Sequence, residues 1–455
     1  MSATLPGDAE AALVACLLVT AGSSVGGRLT LLAGIPLTVA GAVLAWIAAR
    51  RARRGAPERS FARVYFWLSA NAAVGLSVGP PYPAPVWYLT AYYALPALGV
   101  VLIAVVAAGT VRARSRAVWT AVAFTTALVL ATPIAMPHPA IDVWTLTETS
   151  VHALLHGVHP YTVATPDVYG GQYDFGYTTS AYPYMPLDLI LAAPAVALFG
   201  DYRFALALCF PITVALLRAA GRRLAVADHT IDVVTLALAL QPHAAFIVSA
   251  GWIEPMMVVT LAAFVYLSAR EPRGSAAAVA FLLLPALKQY VAAPVLIFLA
   301  MRPRPRARAV AAGALVAACT VMPFSVWNWR PTLDGVTSIL THMRAPAAFR
   351  TDSDSLTAAA ARLFGWRAGA WLGAVAQFAA GGIAFAMLRR AGLGGLLLAS
   401  ALALLTSFLL GTQAFVNYYA FAAALLLFAA VALARGDALT VGPAGGPAPA
   451  PALTR

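Results

Sequence analysis

The sequence predicts an all-α polytopic membrane protein with about 12–14 transmembrane helices. Three observations carry that prediction. Hydrophobic residues make up 61% of the 455 positions, only 10% are charged, and the mean hydropathy is +0.81. A soluble chain of this length needs a far more polar surface, whereas lipid-facing helices need none. Apolar stretches long enough to cross a hydrocarbon core of about 30 Å recur from end to end.

In chain order the expected spans cover 11–26, 31–49, 61–78, 87–110 and 118–133, each closed by a polar, Gly or Pro-rich stretch. After a long loop come 185–199, 204–220, 231–249, 253–268 and 276–301, then 310–327, 368–388, 393–410 and 414–433. The run from 434 to 455 is rich in Pro, Gly and Ala and reads as a disordered tail. Three parts are therefore expected: an N-terminal transmembrane extension (1–112), a main transmembrane module (113–433) and a tail (434–455).

The formal charge of +13 does not indicate nucleic-acid binding. Most arginines form short clusters directly after apolar segments, at Arg50–Arg54, Arg112–Arg116, Arg302–Arg308 and Arg389–Arg390. That is the positive-inside pattern, in which cationic loops stay cytoplasmic against anionic lipid. Alternation from Arg112 predicts a multi-pass protein of the bacterial plasma membrane with both termini cytoplasmic and the long loops 136–184 and 328–356 outside. Two groups break the count: Arg218, Arg222 and Arg223, and Arg270 with Arg273, fall on the outer side. A re-entrant hairpin or a miscounted span is required. Cys16, Cys209 and Cys319 lie inside apolar segments and suit neither a disulfide framework nor a metal spacing. Asp8 and Glu10 precede the first apolar run with no cation before it, so that run reads as a retained span rather than a cleaved signal.

The loop 136–184 concentrates aromatic, acidic and histidine residues, and long ordered loops in a compact protein are usually functional. Residues 143–156 suit an interfacial helix with an apolar face of Leu146, Val151, Leu154 and Leu155, stopped by Gly157. Asp142 stands just before it, at the membrane boundary. Lys288 is the chain's one lysine and lies inside an apolar span, where a cation is costly and usually functional. Its alternative is an ion pair with Glu254.

The order of these elements resembles the GT-C superfamily of membrane glycosyltransferases, nearest to the polyprenyl-phosphate-mannose-dependent branch. The matching residues are Asp142; then Gly157, Pro160 and Tyr161; then Tyr182, Pro183 and Pro186. LKQYVAAPVLIFLAMRPR, with Lys288, Gln289 and Tyr290, resembles the family's L-K-P-Y segment, and QAFVNYYAF resembles its last aromatic span. The resemblance covers about 118–433. Four spans precede the family's first helix, and Gln289 stands where proline is common.

What the resemblance implies is a GT-C-like fold and an inverting sugar transfer, mannose first and arabinofuranose second. The donor would be a polyprenyl-phosphate sugar, and the acceptor an extracytoplasmic glycan or glycolipid. Such chemistry needs a carboxylate to take the acceptor proton, expected to be Asp142, and polar or cationic groups to hold the leaving phosphate. Lys288, Gln289, Tyr290, Glu254, His156, His342, Arg344 and Asn417 are the candidates, with Tyr161 and Tyr182 to stack on sugar rings. The alternative for Asp142 is a helix cap, and for the tyrosines an interfacial aromatic belt. No cofactor is expected. A divalent metal would draw on the stripe Glu148, His152 and His156 or on Asp352 and Asp354, but the first reads better as a polar helix face and the second as a helix start. A transporter or flippase of a lipid-linked saccharide, or a non-catalytic assembly subunit, is the alternative function.

Overall fold

The computed structural model describes residues 4–25, 30–54, 58–170, 182–272, 274–302, 304–342, 350–369 and 371–435, with backbone alone at 54 and 339–342. Within them the chain is a helical, multi-pass membrane protein. Eight helices are long and apolar enough to cross a bilayer. The sole sheet among the described residues pairs β1 (Thr4–Pro6) with β2 (Glu58–Ser60), three residues each.

Five helices open the fold: α1 (Gly7–Ser24), α2 (Ile35–Arg54), α3 (Ala62–Ser77), α4 (Val86–Ala108) and α5 (Val111–Ala135). A π-helical turn, Thr30–Gly34, leads into α2. Almost every residue of α1 is buried, because α2, α3 and the last helix, α20 (Val416–Leu433), pack along it. A helix apolar on all sides belongs inside a bundle, and α1 has no charged residue after Glu10 and no polar one until Thr20. The N-terminal extension therefore shares one core with the rest of the chain.

Side-chain contacts tie the ends of the helices into two groups. At one end Arg51 donates to Gly7 O, and Arg114 and Arg218 both pair with Asp232 at 2.9 Å. There too Arg302 N donates to Arg389 O, and Arg223, Arg302 and Arg435 line one cavity. At the other end Ser24, Val78, Trp252, Asp354 and Phe415 line a second cavity. Close by, buried Arg203 donates to Asp201 and to the carbonyls of Met136, Pro137 and Ser249. The chain runs between these ends through α8 (Arg203–Arg223), α9 (Asp228–Ala239) with α10 (Ala244–Ser249), and α11 (Glu254–Arg270). It does so again through α15 (Ala307–Trp327), α18 (Trp371–Leu388), α19 (Gly392–Leu410) and α20.

Two expected spans do not cross. Residues 185–199 form α7 (Pro186–Phe199), preceded by Pro183 bonded to Gln289 and followed by Asp201–Arg203 clamped onto Met136 and Pro137. Both its ends therefore lie at the Asp142 end. Residues 276–301 are not one helix but a re-entrant hairpin. α12 (Ser275–Leu282) and α13 (Leu284–Leu287) lead in, Lys288 is extended at φ −152°, and a 3-10 turn at Gln289–Val291 and α14 (Ala292–Ala300) lead back. Phe281 and Phe298, one from each arm, stack with centroids 4.6 Å apart. Gly274 and Met301 line the same cavity at the end opposite Asp142. Removing one crossing at each place moves Arg218, Arg222, Arg223 and Arg270 to the end that holds Arg114 and Arg302. The conflict in the charge count disappears.

The loop helices follow their sequence signals. α6 (Asp142–Leu155) is stopped by Gly157 at φ +71°, a backbone state that glycine adopts without a Cβ penalty. α16 (Trp329–His342) lies against the first loop: a Cβ on Gly335 would meet Tyr161 Cδ1 at 2.3 Å, so only glycine allows this approach. α17 (Leu356–Phe364) begins with Ser355 Oγ accepting from Ala358 N. Asp352 and Asp354 were the expected helix start, but the serine takes that place because its hydroxyl reaches the third amide.

Candidate functional site

Two polar centres form at the Asp142 end of the bundle. Asp142 is the first residue of α6, with Ile141 before it as the cap residue. Its Oδ1 accepts from the Tyr169 hydroxyl at 3.0 Å and from Val143 N at 2.8 Å. Burial pushes the Asp142 carboxyl above the usual carboxylate range. The Tyr169 hydroxyl, the Val143 amide and the charge of Arg350 pull it partly back. Asp142 thus holds a proton more readily than a surface aspartate and has no contacting cation among the described residues. That combination suits a group that exchanges protons.

The second centre is the hairpin tip. Lys288 Nζ lies 2.5 Å from Glu254 Oε1 at the start of α11, and Asn417 Nδ2 donates to the same oxygen at 2.9 Å. Both charges are buried, Lys288 at 5% and Glu254 at 1% exposure. The ion pair weighed as the alternative for Lys288 is therefore present. Glu254 Oε2 and Asn417 Oδ1 have no partner among the described residues, so the centre retains unused acceptors. Three rings surround Lys288: Tyr418 at 4.9 Å, Tyr290 at 5.5 Å and Tyr184 at 5.6 Å. Cation–π contact of this kind offsets part of the cost of a buried ammonium.

Tyr418 joins the two centres. Its ring lies under Lys288, and Asp142, Glu254 and Arg350 are within its electrostatic reach. Arg350 pairs with Asp352 at 2.5 Å and lies over the Phe415 ring at 4.9 Å. Tyr418 thus contacts the lysine and feels the charges of Asp142 and Arg350, which come from distant parts of the sequence.

The other expected site residues divide. Gln289 Nε2 donates to Val336 O at 3.0 Å and Pro183 O at 3.4 Å, tying the hairpin tip to both long loops. Tyr290 packs on Phe408 and Tyr418, and its hydroxyl meets Met257 Sδ at 3.3 Å. Tyr161 and Tyr182 are fully enclosed. The first donates to Tyr184 O and the second to the Asp188 carboxylate, so they offer no free ring face to a sugar and instead fix the loop. His156 is exposed, with Nδ1 2.7 Å from His152 O, and stands apart from the cluster. Arg344 and the His342 side chain lie outside the described residues. Glu148 pairs with His152 at 3.2 Å, and Tyr202 N donates to Glu148 Oε2. Burial and the charge of Asp201 hold the Glu148 carboxyl up to about 7. No group of three metal-type ligands occurs among the described residues.

Arg350, Tyr169 and Arg203 were not singled out from sequence. Arg350 had one available signal, as an arginine outside the positive-inside clusters. Tyr169 had none, because its contact with Asp142 spans 27 residues of irregular loop. Fold and site together define a multi-pass helical membrane protein with a buried, mixed-charge centre at one end of the bundle. No family model, curated protein or solved structure matches the chain.

Proposed function

We propose that this chain is a membrane glycosyltransferase that moves a sugar from a polyprenyl-phosphate carrier to an extracytoplasmic glycan or glycolipid, with mannose first and arabinofuranose second. One observation carries the reading: Asp142, a half-buried carboxylate with raised proton affinity, lies within electrostatic reach of Tyr418, whose ring contacts Lys288, and of Arg350. In the reaction Asp142 takes the proton of the acceptor hydroxyl as its oxygen attacks the anomeric carbon. The bond from that carbon to the phosphate oxygen breaks, and its electron pair leaves with the phosphate, inverting the centre. Charge grows on the phosphate, where Arg350 and Lys288 supply compensation. Lys288 reaches it by sharing its charge between Glu254 and the phosphate.

The resemblance of Asp142, Gly157–Tyr161 and Tyr182–Pro186 to the GT-C pattern supports the same reading. The corrected trace supports a cytoplasmic end carrying the arginine clusters and both termini, with Asp142 outside. In a Cys319→Ala background, Cys at Leu155 reacts with an impermeant maleimide in intact cells, and Cys at Arg390 reacts only after lysis. The reverse pattern would end the topology. The function is tested with purified full-length protein in liposomes and a synthetic polyprenyl-phosphate mannose. Wild type releases polyprenyl phosphate and glycosylates an acceptor glycolipid, and Asp142→Asn does neither.

A transporter of lipid-linked saccharides is the second reading, because the hairpin with Lys288 at its tip is a broken helix of the kind transporters use. Labelled lipid crossing the liposome with its sugar–phosphate bond intact would favour it.

A further inference from the structure

The N-terminal extension has no part in the chemistry above, yet its helix ends build a cavity of about 370 Å³ beside it. Ser23 and Ser24 come from the end of α1, Ser77 and Gly79 from the end of α3. His243, Trp252, Asp354 and Phe415 come from the main module. This volume lies in the range of small-ligand sites, about 300–1,000 Å³.

The lining has a definite hydrogen-bond character. Ser24 Oγ lies 2.7 Å from Thr20 O and 3.1 Å from His243 Nδ1, a contact that joins the end of α1 to the main module at the cavity wall. Asp354 adds a carboxylate, which burial holds up to about 7, so it accepts or donates near neutral pH. Trp252 and Phe246, ring centroids 5.6 Å apart, give an aromatic wall. Serine hydroxyls, a carboxylate and an aromatic wall fit a neutral, hydroxyl-rich ring that stacks on an aromatic face.

The cavity adjoins the charged centre. Val416 lines it, the next residue, Asn417, bonds Glu254, and the one after, Tyr418, contacts Lys288. Phe415 lines it from one side and carries Arg350 on its ring. From the extension, the loop between α3 and α4 runs from Gly79 to Tyr82, which lies within electrostatic reach of Asp142. We propose that this cavity is the acceptor subsite, that it binds one neutral saccharide ring, and that α1 and α3 are present to complete it. The assignment as acceptor rests on the glycosyl-transfer reading, while the binding of a neutral saccharide does not.

The test uses the full chain in nanodiscs, with saturation-transfer NMR of methyl α-mannopyranoside and methyl α-arabinofuranoside and, separately, acceptor KM in the liposome assay. Wild type binds at least one glycoside. Ser77→Trp, which fills the cavity from an exposed position, and His243→Phe each weaken binding tenfold or more and raise acceptor KM with donor KM unchanged. Asp142→Asn abolishes transfer and leaves glycoside binding intact. Binding and acceptor KM unchanged in both cavity variants, with thermal unfolding showing them folded, overturns the subsite. So does the absence of binding of either glycoside to wild type at tens of millimolar. If Asp142→Asn retains full transfer while Ser77→Trp still blocks binding, the catalytic reading falls and the saccharide site stands.

Discussion

Asp142 and Glu254 are both carboxylates in the first turn of a helix and at the same end of the bundle, the first half-buried and the second buried, yet they have opposite surroundings. Asp142 accepts from a phenol and an amide, with Arg350 acting only from a distance. Glu254 is in direct contact with Lys288 and Asn417. A carboxylate facing neutral donors is placed to exchange a proton, whereas one in contact with an ammonium is placed to hold that cation. The difference separates a group suited to take a proton from a group suited to hold a lysine in place.

The sharpest way to break that comparison is to neutralise each carboxylate in turn. Asp142→Asn lowers kcat by about 10²–10⁴-fold, the usual contribution of a general base, without changing the unfolding temperature of the purified protein. Lys288→Met acts on stability as well as transfer: it strands Glu254 and costs about 3–5 kcal/mol in reversible unfolding, and it lowers kcat by removing charge from the phosphate site. Adding Glu254→Gln to Lys288→Met recovers most of that loss, since Asn417 can still donate to the amide oxygen. A double variant no more stable than Lys288→Met would show that the pair is not the source of the cost.

Smaller effects concern proton affinity. Activity requires Asp142 deprotonated and its affinity is raised, so the acidic limb of the pH–rate profile lies above an ordinary aspartate, about 3.9. Tyr169 donates to the charged form, so Tyr169→Phe moves that limb to still higher pH, by less than about one unit. A limb that moves down, or stays fixed, removes Tyr169 from the site. Asp354 gives the least change. Its folded proton affinity exceeds the unfolded value, so its stabilising contribution is full below about pH 4 and is lost as pH rises through about 7. Asp354→Asn therefore flattens the fall in unfolding temperature between about pH 4 and 7.

The membrane class and most helices were legible because hydrophobic length survives in sequence. The loop helix and its stop at Gly157 were legible because their signals are local. The two miscounted segments were not, because apolarity measures affinity for the bilayer interior and not direction of travel. Residues 276–301 have the composition of a span, and the turn at Lys288 is fixed by Glu254 and Asn417, distant in sequence. The arginine clusters did carry the information: the two groups that broke alternation both lie between the two segments that fail to cross. Of the site, Asp142 and Lys288 could be named from local context. Their shared neighbour Tyr418 and the partners Tyr169 and Arg350 depend on tertiary contacts that no spacing encodes.

The hairpin also constrains the order in which the chain matures. While it is being synthesised, residues 275–301 offer the insertion machinery an apolar length suited to one full crossing, and Asn417 has not yet been made. Taken as a single span, that stretch would invert α15 and everything after it. In the folded chain Glu254 contacts the lysine at the hairpin tip, and Asn417 on α20 bonds the same carboxylate. A topology reporter fused just after Arg302 in a truncated chain should therefore mark the opposite face from the same reporter inserted there in the complete protein.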